Sequence, residues 1–472
     1  MMRIYQMKTL RTLRVAPSSK KQNFWFFNFG KEHFMKRKMH FGMRMSVVVL
    51  CAAVLLASQA QAAYMTWNTT YDSGTYEDAF SNGAYWGGTA PGADDCARWT
   101  GDPVEITAKL DGDVTHYALR NQAAGGYITI DLNGFTHTVT STSTSDTFFD
   151  YGTIEVTNSG ATGASNIAYL TVGRSSGTDG TLKVTGSSTV LNITGSDRNN
   201  IGGSGNGELV VSGGAKLTNA GELSFGYNGA ANGVGTITGS GSSVELDGNA
   251  IIAYKGTAAV TISDGGKLVT SGGNAHLRVG LVDGASGQLL ITGANSLAEG
   301  SRLGIGGNDA SRGGTGSITV SDGGSLVSRS IFDIWDESSL TIDGGTVTSG
   351  GSLRLRDGST LSLVLNDLST LALVQALSNL EIESAAQLQL ALGQGASFSP
   401  MDFIPLISYS GNLSGQFSNY QEGQQVTLGG QDFEFTYVGG TGKTVGLTAV
   451  PEPAVSSVLM IGAALVARRR RK

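Results

Sequence analysis

The stretch IGGSGNGELVVSGGAKL, Ile201 to Leu217, decides the fold. Its second half belongs to a phrase that returns seven times between Thr181 and Ser349: apolar–x–apolar–small–Gly/Asp–Gly–x–x–Leu/Val. The copies are LKVTGSSTV from Leu182, LVVSGGAKL from Leu209, TITGSGSSV from Thr236, VTISDGGKL from Val260, LLITGANSL from Leu289, ITVSDGGSL from Ile318 and LTIDGGTV from Leu340. Anchored on the second apolar residue they fall at Val184, Val211, Ile237, Ile262, Ile291, Val320 and Ile342, in steps of 27, 26, 25, 29, 29 and 22 residues. Apolar residues two apart place two side chains on one face of a strand. The Asp-Gly-Gly or Ser-Gly-Gly that follows is turn chemistry, because glycine takes positive φ without steric cost. No copy carries a helical stripe. One such unit cannot bury its apolar face alone, so units must stack. The pattern predicts an all-β chain folded as a right-handed parallel β-helix, with coils rising by about 4.8 Å each. A propeller needs longer repeats with signatures that are absent here.

Composition agrees. Among 472 residues there are 69 Gly and 7 Pro, and 15% are charged. Collagen is excluded by the lack of a strict Gly-X-Y period. With 40% hydrophobic residues, disorder throughout is excluded too.

Working outward, residues 1–34 read as an over-extended start or a long n-region, with seven Lys+Arg and the aromatic cluster Phe24, Trp25, Phe26, Phe27 and Phe29. Residues 35–62 have the anatomy of a secretory signal peptide. A basic segment MKRKMHFGMRM precedes the apolar SVVVLCAAVLLA, and Ala60-Gln61-Ala62 supplies a small-x-small site with cleavage expected after Ala62. Residues 63–180, with Trp67, Trp86 and Trp99, read as an N-terminal cap followed by early degenerate coils, including an Asn133-Gly134 turn. The array covers 181–349. Residues 350–449 read as further coils and a second aromatic cap (Phe398, Phe403, Tyr409, Phe417, Tyr420, Phe433, Phe435, Tyr437), with Leu368 to Leu380 open to a short helix.

The tail, 450–472, has three features in fixed order. Val450-Pro451-Glu452-Pro453 is held extended by its prolines. Fourteen apolar or small residues (454–467) follow, predicting a helix of about 21 Å against a bilayer core of about 30 Å. Arg468, Arg469, Arg470, Arg471 and Lys472 then form a basic membrane stop.

Between Ala63 and Ala467 there are 16 Lys+Arg and 37 Asp+Glu, a net charge of 16 − 37 = −21. That excludes a nucleic-acid partner, whose phosphates need a basic footprint. Cations or a hydrated polysaccharide matrix remain compatible with it. Cys51 lies in the leader and leaves Cys96 alone, so the mature chain has no disulfide and no zinc pair; Cys96 reads as a small buried residue.

Little chemistry is visible. His116, His137 and His276 show no metal or catalytic spacing. Asp264, Asp322 and Asp343 before Gly-Gly, and the fragment GGND at 306–309, raise Ca²⁺ but do not reproduce the calcium nonapeptide, and read as turn residues. Asp333, Asp336 and Glu337 beside Trp335 are a candidate carboxylate pair for sugar hydrolysis, or surface loop residues between repeats. GIGGND and IGGSGNG lack the Lys-Ser/Thr of a phosphate loop. Asn68, Asn192 and Asn412 head Asn-x-Ser/Thr sites, and the many Ser and Thr leave O-linked glycans open. No cofactor, metal or catalytic residue is expected.

The tail resembles a PEP-CTERM sorting signal. The resemblance implies a Gram-negative-type bacterium, export through the Sec translocon, a transient inner-membrane anchor, and processing at the motif by an exosortase, a membrane cysteine transpeptidase. The array, best at Ile201–Leu217 and Leu303–Leu326, resembles the repeat shared by type V secretion (autotransporter) passengers and PEP-CTERM proteins; AYWGGTAPGADD resembles their start. No alternating strands of a translocating barrel are present at the end of the chain.

Two functions follow. One is a non-enzymatic surface or matrix protein with a structural or adhesive role, whose expected partners are exopolysaccharide or other matrix components. The other is a β-helix polysaccharide lyase or glycosidase, which would carry a charged stripe on neighbouring coils. The repeat positions Lys183, Val210, Thr261, Leu290 and Thr319 hold no such stripe, which favours the first.

Overall fold

The computed structural model describes residues 11–13, 24–26, 63–67, 75–101, 105–143, 146–366, 373–394, 403–440 and 442–450. The chain divides into two units, Met1–Gln61 and Ala62–Lys472. In the first, Arg11–Leu13 pairs antiparallel with Phe24–Phe26. The second is a parallel β-solenoid built of three sheets, called here sheets 1, 2 and 3, with 13, 15 and 14 strands.

One coil shows the construction. Asp179–Thr185 lies in sheet 1, Val190–Ile193 in sheet 2 and Asn199–Ile201 in sheet 3, and Asn206–Ser212 then starts the next coil beside the first strand. Each sheet-1 strand alternates buried and half-exposed residues, as the apolar-x-apolar phrase requires. The seven anchors form one register column: Val184 faces Val211, then Ile237, Ile262, Ile291, Val320 and Ile342. All are buried. The column runs on through Val156, Ile130 and Ala108 before the array and Leu363 and Leu390 after it. Each buried aliphatic side chain contributes about 1.5–3 kcal/mol, but only with a coil above and below to exclude water. Twelve steps of about 4.8 Å make sheet 1 about 58 Å long.

Varied turns absorb the irregular period. Between sheets 1 and 2 the chain bends through two positive-φ residues, Gly213 and Gly214 in one coil, and Asp264 (φ 53) and Gly265 (φ 85) in another. The turn aspartates also tie coils together: Asp264 accepts from the Thr238 hydroxyl at 3.0 Å, and Asp322 from Thr292 at 2.8 Å. Between sheets 3 and 1 the corner is so tight that a glycine column runs through it. Gly180, Gly207, Gly233, Ala258, Gly287 and Gly316 are in register. A Cβ on Gly207 would sit on the backbone N of Gly202, and one on Gly180 on the Phe149 carbonyl.

Aromatic clusters close both ends. Trp67 packs on Trp86 at 4.9 Å and Tyr85 at 5.0 Å between ring centroids, and the Trp86 indole N–H donates to the Phe80 carbonyl. At the other end Phe435 lies 4.8 Å from Tyr420 and 5.0 Å from Tyr437, on a three-strand antiparallel extension of sheet 2. The only helical turn among the described residues is the 3₁₀ turn Gly83–Trp86, capped by the Asn82 side chain. No described helix is long and apolar enough to cross a membrane.

Of the two readings open for Leu368 to Leu380, strand and short helix, the strand is found. The described part of Leu368 to Leu380 is not helical: Val374–Ala376 and Leu380–Ile382 are strands. They complete parallel ladders begun by Val347–Ser349 and Leu353–Leu355, and ladder pairing outweighs the local helix preference of leucine. Ala60, Ala62, Pro451, Glu452, Pro453, the apolar tail, Arg468 to Lys472, Phe398 and Asn68 lie outside the described residues. Val450 is within them, its N–H donating to the Asp432 carbonyl. Cys96 is buried, and burial pushes its thiol up to about 11.

Candidate functional site

The outward positions of sheet 1 hold Lys183, Val210, Thr236, Thr261, Leu290 and Thr319 in one column, without a charged stripe. Sheet 3 is different. Its strands are only two to six residues long, so each offers one or two outward side chains. Along it Arg98, Arg120, Arg278, Asp333, Arg354 and Glu381 occupy the same register column. All ten arginines between Ala63 and Val450 lie in sheet-3 strands or the turns beside them. Among them Arg329 lies in the turn that leads from the sheet-2 strand Ser325–Ser328 into the sheet-3 strand Phe332–Ile334, where it pairs with Glu299.

Aromatic rings share this face. Arg174 lies 3.5 Å from the Phe148 ring centroid. Arg198 lies over Tyr227 (4.7 Å) and Tyr254 (4.5 Å), which are 5.1 Å apart, and is ion-paired to Glu222. Guanidinium groups over ring faces gain cation–π attraction and bury their stems.

The densest part runs from His276 to Glu383. The turn Gly306–Gly314 is nine residues long where its neighbours have six and four, and it carries Asp309 back over the sheet. Asp309 accepts from Arg302 Nη1 at 2.6 Å and lies 3.6 Å from Arg278 Nη2. Those arginines belong to neighbouring coils, and their charge holds the Asp309 carboxyl below the ordinary range against the opposing effect of burial. His276 Nδ1 lies 2.8 Å from Arg278 Nη2 and 3.3 Å from Asp309. It cannot accept from one and donate to the other. Burial and Arg278 lower its pKa, so the ring is neutral and accepts from Arg278.

One coil on, Asp333 is 2% exposed. It accepts from Arg356 Nε and Nη2 at 3.1 and 2.8 Å, and Arg354 lies 3.9 Å away. Burial nevertheless raises its carboxyl pKa, opposed by Arg356. Arg356 reaches Glu383 at 2.8 Å and stacks over Trp335 at 4.9 Å. Arg312 holds Asp336 and Glu337 at 2.6 and 2.8 Å. Asp333 is therefore not a loop residue but a buried strand residue of sheet 3, whereas Asp336 and Glu337 sit in the turn that follows. Among the described residues no group of three His, Cys, Asp or Glu is placed to hold a metal.

A second polar cluster lies inside the N-terminal coils. His116 and His137, 21 residues apart, are one coil apart in space, with Nε2 atoms 2.7 Å from each other. His116 Nδ1 faces the Ala118 carbonyl and must carry a proton; its Nε2 then accepts from His137, whose Nδ1 accepts from Ser165. Both rings are buried and neutral. Burial lowers His116 to about 4 and His137 well below its ordinary value. Below pH 6.5 the unfolded chain takes up protons that the folded coils refuse, so stability is full above pH 6.5 and falls towards pH 4. Hydrogen exchange corrected for intrinsic rate is expected to quicken in 114–116 and 137–139 between pH 7 and pH 5, while 289–291 stays unchanged. Equal protection at both pH values in all three segments would refute this.

Comparison with known proteins adds little. No family model matches the chain, and no curated protein matches it. One solved structure is similar, the crystal structure of a TibC-catalyzed hyper-glycosylated TibA fragment. It is 15% identical, with 75% of this chain and 100% of that one covered, at a TM-score of 0.22. So low a score carries no argument about function.

Proposed function

We propose that this chain is an exported bacterial surface or matrix protein, non-enzymatic, whose β-solenoid presents extended faces to a polysaccharide matrix. In this reading residues 35–62 direct export, and the tail is a transient anchor processed near Pro451-Glu452-Pro453 by an exosortase. The observation that supports it is the charge pattern of sheet 3. Its cations are spread over the length of the solenoid, and those of the dense cluster are tied to carboxylates. A lyase or glycosidase would also carry charge on neighbouring coils, but with groups free to meet substrate, whereas Arg278, Arg302, Arg312, Arg354 and Arg356 are all ion-paired. The enzymatic reading retains one supporting feature, the raised carboxyl of Asp333 with Arg354 and Arg356 on the next coil.

The test is intact mass and location in the native bacterium, with and without its exosortase. A surface or released product running from Ala63 to near Pro451, lost without the exosortase, is expected. A product retaining Arg468 to Lys472 in both strains overturns the sorting reading. Release of reducing ends or unsaturated uronates from acidic polysaccharides by the purified protein, abolished by Asp333→Asn, would replace the non-enzymatic reading with the enzymatic one.

A further inference from the structure

We propose that Arg278 and Arg302, on neighbouring coils of sheet 3, form a seat for the carboxylate of an acidic polysaccharide lying along the solenoid, and that Asp309 fills that seat in the free protein. The inference rests on the reading of the chain as a matrix-facing solenoid and names the ligand class of one face.

Three observations carry it. First, the seat already holds a carboxylate. Two guanidinium groups from two coils converge on Asp309, and any carboxylate on a ligand would find the same donors. Arg278 Nε is buried and has no hydrogen-bond acceptor among the described residues. Second, the carboxylate arrives on an insertion. The nine-residue turn Gly306–Gly314 folds back over the preceding coil, which a four-residue corner does not need to do. An occupant on a turn is exchangeable in a way that a strand residue such as Asp333 is not.

Third, the seat is bracketed by rings. Tyr254 lies on the coil before Arg278 and Trp335 on the coil after Arg302, both half-buried on the same side. The four residues Tyr254, Arg278, Arg302 and Trp335 thus stand on four consecutive coils, about 4.8 Å apart along the axis. A linked pyranose chain advances by roughly one coil per sugar. Its apolar ring faces suit the sides of Tyr254 and Trp335 turned away from Arg198 and Arg356, and a uronate between them suits the two arginines. A nucleic acid does not fit: its closely spaced phosphates would meet Asp336, Glu337 and Glu381 along the same face, in a chain of net charge −21.

The probe is an octasaccharide of alternating glucuronate and N-acetylglucosamine, titrated calorimetrically into the purified protein, with its carboxyl-reduced form as the neutral control. Asp309→Asn keeps the side-chain shape and removes the competing charge, and is expected to bind the acidic octasaccharide about tenfold more tightly than wild type. Adding Arg278→Ala or Arg302→Ala should cancel that gain, with circular dichroism confirming the fold. Lys216→Ala, on a sheet-2 strand, should leave binding unchanged. Three results overturn the proposal: equal binding by wild type and Asp309→Asn, no measurable binding by Asp309→Asn, or equal binding of the carboxyl-reduced control. None of them bears on tail processing, whose own experiment stands or falls separately.

Discussion

Replacing Asp333 by alanine is expected to destabilise the solenoid by about 3–5 kcal/mol, the cost of stranding a charge whose partner in a buried pair has gone. The partner here is chiefly Arg356, which gives Asp333 two hydrogen bonds, with Arg354 close by. Both arginines are about a quarter exposed. Water therefore recovers part of the loss, and the lower end of the range is expected. Asp333→Asn keeps the acceptor oxygen but not the charge and should cost less than Asp333→Ala. Guanidinium chloride unfolding followed by circular dichroism reads both. A change within 0.5 kcal/mol for Asp333→Ala would mean that Arg356 is held by Glu383 and Trp335 alone.

The glycine column gives the second large effect. Gly207→Ala and Gly207→Val are both expected to cost about 3 kcal/mol or more, at or above the upper end of ordinary overpacking. The reason is that the new Cβ meets backbone, the Gly202 nitrogen, and not the tip of a side chain that can swing away. Alanine should thus be nearly as damaging as valine, unlike the graded response of a side-chain clash. Ala258 occupies the same column one coil beyond Gly233, so Ala258→Gly should cost only about 0.5–1 kcal/mol, the usual backbone entropy of glycine. Loss of protection in 206–212 during hydrogen exchange would locate the damage. Native-like exchange there in Gly207→Val would show that the corner opens without harm.

The array was legible because its signal is local. Val184, Val211 and Ile237 sit two residues after another inward position and just before a glycine turn, and they proved to be one register column. The aromatic ends were legible for a similar reason, since clusters such as Trp67, Trp86 and Trp99 have few other uses in a chain this rich in glycine. The sheet-3 face was not. Its strands are too short for alternation to show, and its charges recur at unequal steps, Arg278, Asp333, Arg354, Glu381, because turns of four, six and nine residues intervene. Only pairing register aligns them. The repeat positions Lys183, Val210, Thr261, Leu290 and Thr319 lie on sheet 1, whereas the charged column lies on sheet 3. The histidine pair was hidden likewise: a separation of 21 residues has no meaning until it is known to be one coil. Between Leu368 and Leu380 the leucine spacing left a short helix open beside a strand, because nothing local announces that two ladders are waiting for their next strand.

The equivalence of register from coil to coil has a consequence for how such a gene can change. Asn206–Ser212 offers Asn232–Thr238 the same ladder that Asp179–Thr185 offers Asn206–Ser212. Deleting one coil in frame, or copying it, leaves a strand facing a partner it already fits, and leaves both aromatic ends untouched. Recombination between near-identical phrases can therefore shorten or lengthen the rod by whole units. Natural length variants differing by about 25–29 residues, each still folded, are the population-level trace this architecture should leave.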